Sequence, residues 1–144
     1  QSLDHGRVKM AEFFLHTQLA QDTFFVKNLK LSKLLLMNDA RFPWAVLVPR
    51  KDNVRDLIDL LPGDQRTLID EINRVSIFIK RYSKAEKLNI ATIGNIVTQL
   101  HVHIVARMAS DAAWPKPVWG YGEAMRYTDG KEEKIIAAMN STIV

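Results

Sequence analysis

The sequence predicts an α+β domain built on an antiparallel sheet. Short β-prone runs come in adjacent pairs, one long amphipathic helix separates those pairs, and no linker, repeat or low-complexity segment divides the chain. At 144 residues the chain can form one sizeable core but hardly two.

Phe24, Phe25 and Val26 open the first β-prone run, which LKLSKLLLM continues. A turn is expected at Asn38-Asp39-Ala40-Arg41. The run PWAVLVP, Pro43 to Pro49, is short, apolar and bounded by prolines, as a buried strand is. Leu61-Pro62-Gly63-Asp64 then breaks the chain, with Asp64 placed to cap a helix. Leu68, Ile72, Val75, Ile79 and Tyr82 follow at spacings of 4, 3, 4 and 3, which is one helical face. Ile69, Ile77 and Phe78 lie off that stripe and suit either a wider core contact or a partner subunit. Leu88 to Ile93 reads as a strand, Gly94-Asn95 as a tight turn, and Thr98 to Arg107 as the next strand. A last helix is predicted over Asp129 to Met139, with Asp129 as cap and Glu132 three residues on.

With 47% hydrophobic and 25% charged residues, the composition is that of a soluble globular chain. No apolar run reaches the roughly 20 residues of a membrane helix; LSKLLLMNDA is too short and interrupted. The absence of cysteine excludes disulfides and thiolate metal sites, which fits a cytoplasmic protein. The net charge of +4 is spread without a basic block, so nucleic acid is not the expected partner. Residues 1–9, QSLDHGRVK, are polar and precede Met10, and read as the remnant of an expression tag. The domain is then 10–144, and His5 takes no part in its function.

The informative stretch is QLHVHIV, Gln99 to Val105. On a strand, Gln99, His101 and His103 share one face, while Leu100, Val102 and Ile104 face the core. Three readings are open from this pattern alone. The polar face can be a solvated strand; the His-x-His pair can bind a metal, with His16 the only other histidine in 10–144; or one imidazole can attack while the other handles a proton or charge. His16 itself, in FFLHTQLAQDT, reads as structural.

QLHVHIV resembles the histidine-triad (HIT) family motif, His-φ-His-φ-His-φ-φ with φ apolar, with Gln99 in place of the first histidine. Gly94-Asn95-Ile96-Val97 occupies the place of the family's Gly-Gln-Ser/Thr-Val segment. NDARFPWAVLVPR, Asn38 to Arg50, is similar to the family's nucleotide loop and following strand. Arg107 stands where many members have a Pro-Arg, and DAAWPKPVWG, Asp111 to Gly120, resembles the tail of a bacterial branch.

The resemblance implies a HIT-like fold: a single domain with an antiparallel sheet of about five strands, one long helix and shorter ones, forming a homodimer. It implies a nucleotide hydrolase or nucleotidyl transferase acting at an α-phosphate, without metal or other cofactor. His101 would be the nucleophile, its tautomer fixed by the backbone carbonyl of His103, and His103 would stabilise phosphate oxygens or the leaving group. Gln99 would support the site; Asn95 and Asn89 would bind phosphate; Asn38 and Asp39 would hold the ribose. Asn95, Asn89, Asn38 and Asp39 are equally at home as turn or strand-end residues. Trp114 and Trp119 are either a hydrophobic plug over the sheet or a wall of the nucleotide pocket, with Lys116 near phosphate. The rival function is a nucleotide-binding regulatory module with little or no turnover, and Gln99 is where the two readings part.

Overall fold

The computed structural model describes residues 12–144 and, before them, the backbone of Leu3–Asp4 paired antiparallel with Arg7–Val8. Otherwise the segment read as a tag remnant, His5 included, lies outside the described residues.

Five strands form one antiparallel sheet: β1 (Thr23–Asn28), β2 (Ser32–Met37), β3 (Trp44–Pro49), β4 (Lys87–Ala91) and β5 (Val102–Arg107). Their spatial order is β1-β2-β3-β5-β4, so the histidine strand lies inside the sheet, between β3 and β4. Every residue of β3 and β5 is buried. This explains why PWAVLVP reads as a continuous apolar run: both of its faces are covered.

Two layers do the covering. On one face, Leu34, Leu36, Leu47, Val102 and Ile104 pack against Leu68, Val75 and Ile79 of the long helix α2 (Pro62–Ser83) and against Ile135 and Met139 of α3 (Glu132–Thr142). On the other, Leu35, Trp44, Val46, Val48 and Val105 pack against Leu19 of α1 (Thr17–Asp22) and against Ala113 and Val118 of the loop after β5. The period-2 alternation of β5 thus sends Val102 and Ile104 to the helices and His103 to the loop side.

Several boundaries differ from the sequence reading. Pro62, not Asp64, opens α2, because a proline at the first helical position loses no hydrogen bond. Asp64 falls in the first turn, where a carboxylate suits the helix dipole, and pairs with Lys51 at 3.6 Å. Phe78 joins the core, whereas Ile69 and Ile77 are exposed; Tyr82, expected on the buried stripe, is exposed and stacks on Phe78. The last helix begins at Glu132. Asp129 and Gly130 both have left-handed backbone, φ 55° and 70°, so the chain is still turning there and Asp129 cannot cap. β4 ends at Ala91 and β5 starts only at Val102, so Gly94-Asn95 belongs to a long connection and not to a tight hairpin.

Candidate functional site

The irregular connection 92–101 builds the site. Gly94 has φ +67°, a conformation that L side chains rarely adopt, and this turns the chain back over the sheet. Gln99 lies in a bend outside the ladder. Its carbonyl is therefore free to meet the ring of the residue two positions on: His101 Nδ1 lies 2.7 Å from Gln99 O. A carbonyl only accepts, so Nδ1 carries the proton and, in the neutral ring, Nε2 keeps its lone pair. This corrects the expectation that the carbonyl of His103 would set the tautomer.

His101 and His103 are 5% and 6% exposed, which removes the reading of a solvated strand. Their rings lie 4.8 Å apart, edge to face. They line a cleft of about 460 Å³ with Gln18, Asp22, Trp44, Asn95, Ile96 and Trp119 among its other walls. Trp44 Nε1 donates to His103 Nδ1 at 3.0 Å. Burial, with His101 alongside, pushes His103 down to about 3, so it is neutral near pH 7.

The other expected residues scatter. Asn95 lines the cleft and is exposed. Asn89 does not line it, because its Oδ1 is held by Arg107 Nη1 at 2.7 Å. Gln99 does not face the histidines. Its side chain accepts from His16 N at 2.8 Å and donates to Phe14 O at 2.9 Å, strapping the segment before α1. His16 caps α1, accepting from Gln18 N.

Asn38 and Asp39 line an adjoining hollow of about 240 Å³ that shares Asp22, Met37 and Trp44 with the cleft. Their acceptors are already engaged. Asp39 takes Arg41 through Nε at 3.0 Å and Nη2 at 2.8 Å, and also Met125 N at 3.3 Å; Asn38 Oδ1 accepts from Tyr127 N. Burial tends to raise the Asp39 carboxyl, but Arg41 and the backbone N–H groups hold it below its usual value.

Trp119 is a cleft wall, 5.5 Å from the His103 ring. Trp114 is not. It lies over Arg107, and Lys116 contributes its carbonyl to that arginine and no side chain to the cleft. Among the described residues no group of three or more His, Cys, Asp or Glu side chains is placed to hold a metal.

Sequence reasoning missed Trp44 as a site residue. Its signal was weak: Trp44 alternates with Val46 and Val48 on one strand face, but only the register to β5 tells which histidine it meets.

The HIT domain model matches residues 18–110. No curated protein matches. Among solved structures, the chain is similar to a histidine triad protein of Bradyrhizobium japonicum, at 43% identity over 93% of this chain and 100% of that one, with a TM-score of 0.90. It is also similar to one of Sinorhizobium meliloti 1021, at 39% identity over 90% and 96%, with a TM-score of 0.88. A third, of Marinobacter aquaeolei VT8, is 35% identical over 92% and 97%, with a TM-score of 0.89. With the domain model over most of the chain and these likenesses end to end, the chain belongs to the histidine triad (HIT) family.

Proposed function

We propose that this chain is a nucleotide hydrolase or nucleotidyl transferase that works at an α-phosphate through a covalent nucleotidyl-His101 intermediate. One observation carries the reading: the His101 Nδ1–H donates to the Gln99 carbonyl at 2.7 Å, so that the neutral ring of this buried residue keeps its lone pair on Nε2. In the first step the Nε2 lone pair forms the N–P bond while the bond to the leaving group breaks and its electron pair departs with that group. In the second, water or another acceptor adds to phosphorus, the P–N bond breaks, its pair returns to Nε2, and the acceptor's proton passes to solvent. His103 donates a hydrogen bond to a phosphoryl oxygen, as does the Asn95 amide at the cleft mouth. No metal or other cofactor takes part.

The base and ribose occupy the adjoining hollow by Asn38 and Asp39. To reach these acceptors the sugar hydroxyls have to displace the backbone N–H groups of Tyr127 and Met125. Gln99 stands at the first triad position as a support for the chain before α1. The rival, a binding module with little turnover, is favoured by that same detail, since Gln99 offers the cleft no side chain.

The exposed Ile69 and Ile77 of α2 and the edge strands β1 and β4, each paired on one side only among the described residues, suit a homodimer, which sedimentation of the purified protein tests. We assign the protein to the cytoplasm; no helix among the described residues is long and apolar enough to cross a membrane.

The deciding experiment uses adenylates and guanylates labelled in the nucleotide part and quenched in alkali, where a phosphoramidate persists. Label on the peptide containing QLHVHIV, abolished with turnover in His101→Ala, is the expected result. Label on His103 or His16 refutes the role of His101. Clean binding with no label and no turnover selects the binding module.

A further inference from the structure

Trp44 stands on β3 opposite Val105, diagonal to His103 on the neighbouring strand and on the same face of the sheet. Its indole Nε1 lies 3.0 Å from His103 Nδ1, and both side chains are buried. An indole nitrogen has a proton and no acceptor lone pair. His103 Nδ1 must therefore be the acceptor, and the single proton of the neutral ring is on Nε2. The indole cannot easily turn away, since Phe42 and Trp119 pack edge-on against it at 6.4 and 6.1 Å.

We propose that Trp44 is a positioning residue that holds His103 as the Nε2–H tautomer, a fixed N–H donor that keeps its proton through the reaction. On the reading of His101 as nucleophile, this also sets the substrate class: leaving groups that depart as stable anions, and not amines that need a proton to leave. The count of protons gives the reason. His103 has only its Nε2–H, and losing it would make an imidazolate. The one proton of His101 is on Nδ1, where it is donated to the Gln99 carbonyl, while its Nε2 becomes bonded to phosphorus. Apart from the two histidines, the one titratable side chain among the described residues lining the cleft is that of Asp22. When an aryl ester reacts, the Nε2–P bond forms, the P–O bond breaks and the electron pair leaves on the phenolate oxygen, so no proton is required. Leu19, Met37, Ile93, Ile96 and Val97 give such a group an apolar wall.

Long-range proton–nitrogen spectra of the nitrogen-15-labelled protein, with His103 assigned through His103→Gln, read the tautomer without any substrate. The expected wild-type pattern is a protonated Nε2 and a bare Nδ1. Trp44→Phe keeps an aromatic ring but removes the donor, and should give mixed tautomers. If that variant does not fold, replacing Trp44 by its sulfur isostere, benzothienylalanine, removes the N–H at constant shape. A proton on Nδ1 in the wild type, or identical tautomer populations with and without the donor, overturns the assignment. In turnover, the adenosine 5′-phosphate 4-nitrophenyl ester should outpace the butylamine phosphoramidate. Trp44→Phe should lower kcat on the ester by about 10-fold with KM little changed, and narrow the preference between the two. A phosphoramidate turned over as fast as the ester overturns the substrate class. The expected spectra with neither probe turned over would remove the proposed enzyme and leave the role of Trp44 standing.

Discussion

Arg107→Met should be among the most damaging single changes outside the cleft. Arg107 is 2% exposed at the end of β5. It donates to Asp111 through Nε at 2.7 Å and Nη2 at 3.1 Å, to Asn89 Oδ1 at 2.7 Å and to Lys116 O at 2.8 Å. The rings of Phe42 and Trp114 lie 5.7 and 5.6 Å from the guanidinium carbon. Methionine fills much of the space but leaves Asp111 a buried carboxylate with only the N–H groups of Met108, Ala113 and Trp114. Breaking a buried pair from one side costs about 3–5 kcal/mol, because the remaining charge is uncompensated. Burial tends to raise the Asp111 carboxyl, but Arg107 and the three backbone N–H groups outweigh it and hold the group at about 2, below the ordinary 3.8. The folded value is the lower one, so this stabilisation is complete above about pH 4 and is lost as pH falls through 2; it is worth about 2 kcal/mol. Urea unfolding of wild type, Arg107→Met, Asp111→Asn and the double variant, at neutral pH and from pH 5 to 2, measures both effects. The double variant should be less destabilised than the two single losses added together, by at least about 1.5 kcal/mol. A loss under about 1 kcal/mol in Arg107→Met, or simple additivity, would refute the argument. Since the loop that Arg107 anchors also carries Val118 and Trp119, the variant should disturb the cleft as well.

Other substitutions divide by face and by strap. Val102→Asp should unfold the protein, at a cost above about 4 kcal/mol, by sending a charge into the helix-side core; His101→Ala, on the cleft side, should stay folded, and equal thermal melts would show the two faces misassigned. Gln99→His cannot reproduce both strap bonds, so amide exchange at His16 should rise, matching a loss of about 1 kcal/mol, with turnover altered by about tenfold or less. A gain of several orders of magnitude would promote the binding-module reading instead. Arg41→Ala removes the guanidinium donors to Asp39 and to the Tyr121 carbonyl, and should speed proteolysis within residues 121–127; unchanged cleavage would mean that the segment is held elsewhere.

Much of the fold was legible in the chain itself. The spacing of Leu68, Ile72, Val75 and Ile79 wrote the long helix, and the run PWAVLVP wrote a strand buried on both sides, because burial periodicity is a local property of sequence. The alternation in QLHVHIV likewise placed Val102 and Ile104 against the helices and the two histidines opposite them. What sequence could not supply were contacts between residues far apart along the chain. That Trp44 meets His103 depends on the register of β3 against β5; that Asn89 and Asp39 are taken up by Arg107 and Arg41 depends on which donors folding brings within reach. Gln99 shows the limit most plainly. Two-residue alternation put its side chain beside the histidines, but the strand begins only at Val102, and the bend before it turns the side chain to Phe14 and His16 and leaves its carbonyl to orient His101. Residue type says which hydrogen bonds a side chain can make, and only the packed chain decides which partner it finds.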